Sequence, residues 1–359
     1  MRSAAGTLSL GALLASVGFL LDAEPLLVAG TGLAILAACC LAWVSAAARG
    51  AALERSIGER RVVEEEPLPV RIVARSWMPW PGGEVRDSLL ASPAPVRALR
   101  RRAIVRIEAR FARRGMHRLP SATLVVRDPL GLARREVHGG EDVELLVLPA
   151  TFPVLAAGAS GGEERPGALA ALQAGAALTE VDGLRPYREG APAARIHWAA
   201  LARGAGLLER HLRADADARP LVVLDASGPG EEQELDAAVR AAGSLCLELA
   251  RRGGCAILLP GERRPRPVDA DLSAWAAVHV RLALASPGPA PSLGALGART
   301  GPVFYVAARP LRRPPPQATR SAAARLVLVV PRPLAGREAV LTVAGCHGYS
   351  GRIDAKAAA

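Results

Sequence analysis

The chain has 359 residues, is 50% hydrophobic but only 3% aromatic, and carries a formal net charge of +11, almost all of it arginine, with Lys356 the only lysine. At roughly 100–200 residues per domain, this length suits an anchor with two soluble domains whose cores must be filled by Ala, Leu and Val. A basic balance suits anionic lipid, an acidic protein or nucleic acid, and nucleic acid is set aside because no strand or helix interleaves basic with aromatic residues.

The five cysteines contain no CxxC pair, so they suggest neither a zinc site nor a redox centre. Cys39 and Cys40 sit in an apolar run. Cys246, Cys255 and Cys346 are far apart in apolar surroundings. Free, buried thiols in a reducing compartment are expected.

From Leu8 to Leu21 the chain is uncharged. Asp22, Ala23, Glu24 and Pro25 interrupt it, and Leu26 to Ala48 is again uncharged. A helix rising about 1.5 Å per residue crosses a hydrocarbon core of about 30 Å with the second run, and barely with the first. Residues 1–50 therefore predict two transmembrane helices, about 6–21 and 26–48, joined as a hairpin by the acidic turn. Arg2 precedes the pair, and Arg49, Arg55, Arg60 and Arg61 follow it. The excess of arginine on both flanks puts them in the cytoplasm. The expectation is a two-pass protein of the cytoplasmic membrane, with its soluble region facing the cytoplasm. The rival reading is a signal peptide cut near Ala23, which would export that region.

Residues 60–150 read as a small β-sandwich-like module. The runs 71–76, 84–90, 102–111, 122–128 and 143–149 are rich in Val and Ile, several alternate apolar with polar residues, and Pro and Gly separate them. Trp77 and Trp80 flank a turn, either packed on the sheet or forming a binding platform. Residues 151–180 are an Ala/Gly-rich linker. Its stretch Gly158-Ala159-Ser160-Gly161-Gly162 matches a nucleophile elbow in form, but it lacks the buried strand and following helix that this chemistry needs.

Residues 181–212 are the most distinctive stretch, carrying Arg185, Arg188, Arg195, Arg203 and Arg210 with Tyr187, His197 and Trp198. Arginines this dense can fork to carboxylates or carbonyls. They make either a surface for an acidic partner or a structural latch. His197 has no second His or carboxylate at catalytic spacing.

An α/β domain is expected over 181–345. Residues 219–227 (RPLVVLDAS) are an apolar strand ending in Asp225. Residues 231–252 show helical periodicity, with acids at the start and arginines at the end. Residues 255–260, 302–308, 324–330 and 339–345 are further apolar strands, and 271–284 is a second helix. Strands alternating with helices imply a mostly parallel sheet covered on both faces. Asp225 then lies at the carboxyl end of a strand, where open sheets bind ligands. Residues 346–359 read as a flexible tail.

Residues 76–87 (SWMPWPGGEVRD), 113–119 with 127–132 (RRGMHRL and RDPLGL), 147–149 and above all 184–210 (LRPYREG to RIHWAALARGAGLLER), followed by LVVLDAS, resemble the bacterial domain-of-unknown-function 58 family. The resemblance covers most of residues 60–230. It implies a von Willebrand factor A-like domain and, for Arg185, Tyr187, Arg195, His197, Trp198 and Arg203, membership of the family motif. It also implies a divalent cation such as magnesium at Asp225 and Ser227. Here the sequence departs from the adhesion-site pattern, because Pro229 stands at the third position and supplies no side-chain oxygen. Ala191 also replaces the acid usual after Gly190. Family members are commonly associated with MoxR-type AAA+ ATPases and with other membrane proteins.

Three functions follow. The first is a non-enzymatic membrane scaffold or adaptor, since the chain has no convergent catalytic set and no phosphate-cradling loop. The second is an enzyme or metal-dependent binding protein acting on an anionic ligand near Asp225. The third is a binder of anionic lipid surfaces. No cofactor is expected.

Overall fold

The two apolar runs are helical in the computed structural model, which describes residues 2–156, 181–186, 198–204, 206–212, 219–293, 301–321 and 326–351. α1 is Arg2–Leu20 and α2 is Glu24–Arg49, with Pro25 in the first turn of α2, where its missing N–H costs nothing. The two pack against each other through small residues. A Cβ on Gly11 would stand 2.7 Å from the Ala34 amide nitrogen and 2.9 Å from the Gly30 carbonyl, so this approach needs glycine. α2 is long and apolar enough to cross a membrane, and Ala4–Leu20 is a shorter apolar helix.

α2 runs into β1 (Ala51–Ile57) with Gly50 as the only intervening residue. The other strands of this part are β2 (Arg61–Val63), β3 (Leu68–Ser76), β4 (Gly83–Arg86), β5 (Ala94–Val96), β6 (Arg102–Ala109), β7 (Gly115–Leu119), β8 (Ala122–Arg127), β9 (Arg134–Gly139) and β10 (Val143–Leu148). They form three sheets in the orders β1-β3-β6, β2-β10-β7 and β5-β4-β8-β9. One core joins Ile72, Trp80, Leu124, Leu145 and Val147 to Val44, Ala47 and Ala48 of α2. Trp43 Nε1 donates to the Pro79 carbonyl at 3.0 Å.

This corrects the expected division into an anchor ending at 50 and a module starting at 60. The last turns of α2 are core of the β-rich part, and residues 1–112 with 116–147 form one compact unit. The cause is covalent, since a single residue between helix and strand leaves no slack to separate them.

The second unit contains Arg113–Gly115 and the chain from Leu148 onward. Its sheet has the order β11 (Leu155–Ala156), β19 (Leu341–Val343), β20 (Cys346–Gly351), β18 (Leu326–Val330), β17 (Val303–Ala307), β14 (Leu221–Asp225), β15 (Cys255–Leu258), β16 (Arg266–Val268). Parallel pairing is confined to β18, β17, β14 and β15. β16, β20, β19 and β11 are antiparallel to their neighbours, so the expected mostly parallel sheet is mixed. β12 (Val181–Pro186) and β13 (Leu208–Leu212) form a separate ribbon, and α3 (Trp198–Leu201) lies between them in sequence.

Alternation along the strands makes two hydrophobic faces. Val222, Leu224, Ile257, Phe304 and Val306 pack with α4 (Glu232–Arg251) and α5 (Trp275–Ala283). Leu221, Val223, Leu258, Val303 and Tyr305 pack with Leu293 and with Ala318 of α6 (Pro316–Ser321). α4 buries Leu235, Ala238, Ala242, Leu245 and Leu249, spaced at the helical period, and has Glu232 and Glu234 in its first turn and Arg251 in its last.

Two expectations about loose chain are corrected. Residues 346–351 are not a fraying tail. They pair with both β18 and β19 and bury Cys346 and Tyr349, which supply the apolar contacts their small neighbours lack. Within the expected linker, the Phe152 amide donates to Ser244 Oγ at 2.9 Å, Val154 is buried, and Leu155–Ala156 joins the sheet edge. The elbow-like stretch at 158–162 lies outside the described residues.

Candidate functional site

β14 enters the sheet fully buried and ends at Asp225. The chain leaves β14 for β15 on one side and returns to β17 on the other, so Asp225 sits where the strand order reverses. In open α/β sheets such points lie beside the ligand crevice.

The carboxylate is buried and its oxygens are engaged. Oδ1 accepts from the Ser227 amide at 3.0 Å and from the Ser227 hydroxyl at 2.6 Å. Oδ2 accepts from the Tyr305 hydroxyl at 2.6 Å. Parallel pairing sets Tyr305 opposite Val223 and Ala307 opposite Asp225, which brings the phenol to the carboxylate. Burial, and next the Asp225 carboxylate, push the Tyr305 phenol well above its ordinary range, so it is a donor throughout ordinary pH. Arg309, two residues beyond β17, brings Nη2 to 4.0 Å from Asp225 Oδ2, and its side chain is 40% exposed.

The first turn of α4 completes this end of the sheet. Glu234 accepts from the Gly230 amide at 3.0 Å and pairs with Arg332 Nε at 2.6 Å. Arg332 Nη2 also lies 3.4 Å from Glu231 Oε1. On the same helix Asp236 pairs with Arg113 at 3.2 Å and with Arg114, and Arg114 Nη2 donates to the Ala285 carbonyl at 2.8 Å.

This donor set does not fit a divalent cation. Such an ion needs several oxygens with free lone pairs. Here one carboxylate already accepts three hydrogen bonds, the tyrosine is a donor, Pro229 offers no side-chain oxygen, and an arginine supplies positive charge. Among the described residues no group of three His, Cys, Asp or Glu side chains is arranged to hold a metal.

The arginine-rich motif is only partly brought into view. Arg185 lies in β12, opposite Glu209 of β13. Trp198 starts α3 and is 60% exposed, and Ala200 is buried beside it. Arg203 is exposed in the turn after α3. Tyr187, Arg195 and His197 lie outside the described residues. Of the sequence-predicted positions among the described residues, the structure joins Asp225 with Ser227.

Sequence reasoning missed Tyr305, Arg309, Glu234 and Arg332. The one available signal was a lone hydroxyl in the otherwise apolar run 302–308. It also set Cys246 and Cys255 apart, whereas helix-on-strand packing puts their sulfurs 3.5 Å from each other in the core.

No protein-family model matches the chain, and no curated protein sequence matches it.

Proposed function

We propose that the chain is a membrane-anchored, non-enzymatic scaffold or adaptor of the domain-of-unknown-function 58 type, working with a MoxR-type AAA+ ATPase in assembly or envelope-related processes. On this reading α1 and α2 form a two-pass transmembrane hairpin, the soluble units face the cytoplasm, and the second unit is a von Willebrand factor A-like domain. The resemblance of residues 184–210 motivates the family. The strand order β16-β15-β14-β17-β18, with its reversal at β14, supports the domain type.

The observation that carries the non-enzymatic reading is the closure of Asp225. A general base needs a lone pair within reach of a substrate proton. This carboxylate already accepts three hydrogen bonds from Ser227 and Tyr305, of about four that its oxygens can take, and its full burial shields what remains. Among the described residues, polar side chains at the sheet end and the exposed Trp198 and Arg203 offer surface to a partner.

Affinity purification of the tagged full-length protein from gently solubilised membranes, with and without magnesium ATP, tests the proposal. Recovery of an AAA+ ATPase in a nucleotide-dependent manner is the expected result. Turnover of ATP or a peptide by the purified protein alone, at an ordinary enzymatic rate, would sink it.

The half-exposed Arg309 beside Asp225 favours one second reading, a metal-independent site for an anionic ligand. Loss of function in a complementation assay on Arg309→Gln, with the fold intact, would favour that reading over the first.

A further inference from the structure

Strand register gathers one rim of the β module around the exit of α2. Ala51, where β1 begins, lies opposite Ser76 at the end of β3, and Arg75 lies opposite Arg102 at the start of β6. Gly83, the first residue of β4, lies opposite Val96 and Val126, the end of β5 and the penultimate residue of β8, and Arg127 lies opposite Arg134, the first residue of β9. Three turns close this rim, over residues 77–82, 97–101 and 128–133. Backbone hydrogen bonds tie them together: Trp80 N to Arg100 O at 3.0 Å, Leu99 N to Trp80 O at 2.8 Å, and Arg127 N to Gly82 O at 3.1 Å.

α2 passes among these turns. Trp43 is bonded to Pro79, Val44 is buried, and Cys40 meets the Asp128 side chain. Only residues 24–39 of α2 therefore project beyond the module, a rise of about 24 Å at 1.5 Å per residue. A hydrocarbon core is about 30 Å thick. If α2 spans it, the rim turns must lie in the interfacial layer of the bilayer.

The turns are built for that layer. Trp80 and Ala133 turn into the core, but one large apolar side chain of each turn is exposed, Trp77 at 65%, Leu99 at 71% and Leu130 at 59%. Leu99 holds φ +60, a region that disfavours every residue except glycine and a few small polar ones. A leucine kept there and left exposed is not explained by packing. Arg97, Arg100, Arg101 and Arg127 are exposed on or beside the same turns, with Arg49 at the end of α2. The one carboxylate in the three turns, Asp128, is buried, and accepts from the amides of Leu130, Leu132 and Ala133. Tryptophan and leucine in front of arginines match the layered chemistry of an anionic headgroup region.

We propose that this rim is a membrane-docking collar: Trp77, Leu99 and Leu130 insert among the headgroups of an anionic bilayer while the arginines pair with lipid phosphates. The collar fixes the β module against the bilayer surface instead of letting it hang on a tether. The proposal rests on the reading that α1 and α2 span the membrane.

The test uses the full-length protein in vesicles of phosphatidylcholine with or without phosphatidylglycerol. Trp77 emission is obtained as the difference between wild type and Trp77→Phe. Lipids labelled with a quencher near the headgroup or deep in the acyl chain report depth, and iodide reports exposure to water. Shallow quenching at least about twofold stronger than deep quenching is expected for an interfacial indole, with protection from iodide and a stronger effect when phosphatidylglycerol is present. Leu99→Asn with Leu130→Asn should weaken the shallow quenching. The first of these changes suits its backbone, so the fold stays intact, which circular dichroism checks.

Access to iodide without lipid quenching would overturn the collar. So would shielding from both, which would mean that protein covers the rim. Equal signals in the two lipid mixtures would overturn the role given to the arginines. Alkaline carbonate extraction separates the two levels: release of the protein from the vesicles removes the spanning reading itself, whereas retention without shallow quenching removes only the collar.

Discussion

At the scale of single residues, the second unit stores its polar chemistry in buried groups that favour one protonation state. Tyr305→Phe removes the donor to Asp225 Oδ2 but keeps the ring in its core position. Leaving a buried acceptor short of a partner costs about 1–3 kcal/mol, and a lowered urea midpoint without change in the circular dichroism spectrum is the expected result. The thiols give a pH dependence. Burial pushes the Cys346 thiol from its ordinary 9.0 up to about 12, against a lowering influence of Arg240. The folded state therefore holds a proton that the unfolded chain releases earlier. Its contribution is fully present below pH 9 and is lost as pH rises towards 12. Wild type should lose more stability than Cys346→Ala between pH 8 and pH 10.5, read from urea midpoints at each pH. The hydrogen bond to Cys255, and then burial, raise Cys246 in the same direction. Both thiols should ignore a thiol reagent until the protein unfolds. That Asp225 ends a strand is legible from residues 219–227 alone. Its partner Tyr305 is not, because only parallel register brings together residues 80 apart in the chain.

Elements with a strong local period were the ones the sequence exposed. α4 shows its apolar stripe, acidic start and basic end in consecutive residues, and the structure runs it from Glu232 to Arg251. β1 carries no such signal. Its burial pattern has one buried residue, Leu53, and it follows a helix without a turn residue other than Gly50. β20 is read as tail because it is built from Cys, His, Gly, Tyr and Ser, and its place depends on β18 and β19 as templates. The arginine-glycine turn at 113–115 was legible as a motif but not as part of the second unit. There, Arg114 is nearly buried against Asp236 of α4 and donates to the carbonyls of Leu282 and Ala285. Removing one partner of a buried ion pair typically costs about 3–5 kcal/mol, because the other charge is left uncompensated. Arg114→Ala should therefore unfold the second unit at markedly lower denaturant. Arg113→Ala, whose side chain is 53% exposed, should change it by less than about 1 kcal/mol, as for other surface pairs.

At the scale of the whole molecule, the sequence suggests an anchor followed by a separate module, yet the polypeptide treats α2 as two different helices in series. Its first part presents Val28, Ile35 and Leu36 outward. Its last part gives Val44, Ala47 and Ala48 to the same core as Ile72, Trp80 and Leu145. The hydrophobic pattern cannot announce this change, because lipid and protein core both ask for apolar residues. Substitution can distinguish them. Val44 is 1% exposed, and Val44→Ala removes buried methyl groups from a packed site, at about 0.8 kcal/mol per methylene plus a cavity term, or about 2 kcal/mol in all. Val28 is 69% exposed, so Val28→Ala leaves no cavity. In detergent-solubilised full-length protein, Val44→Ala should speed proteolysis within residues 51–147 while Val28→Ala should not. Equal protection of the two variants would return the end of α2 to the anchor. Faster cleavage for Val44→Ala alone would mean that the module's fold depends on α2, and that motion of the helix is transmitted to the β-rich unit without a flexible joint.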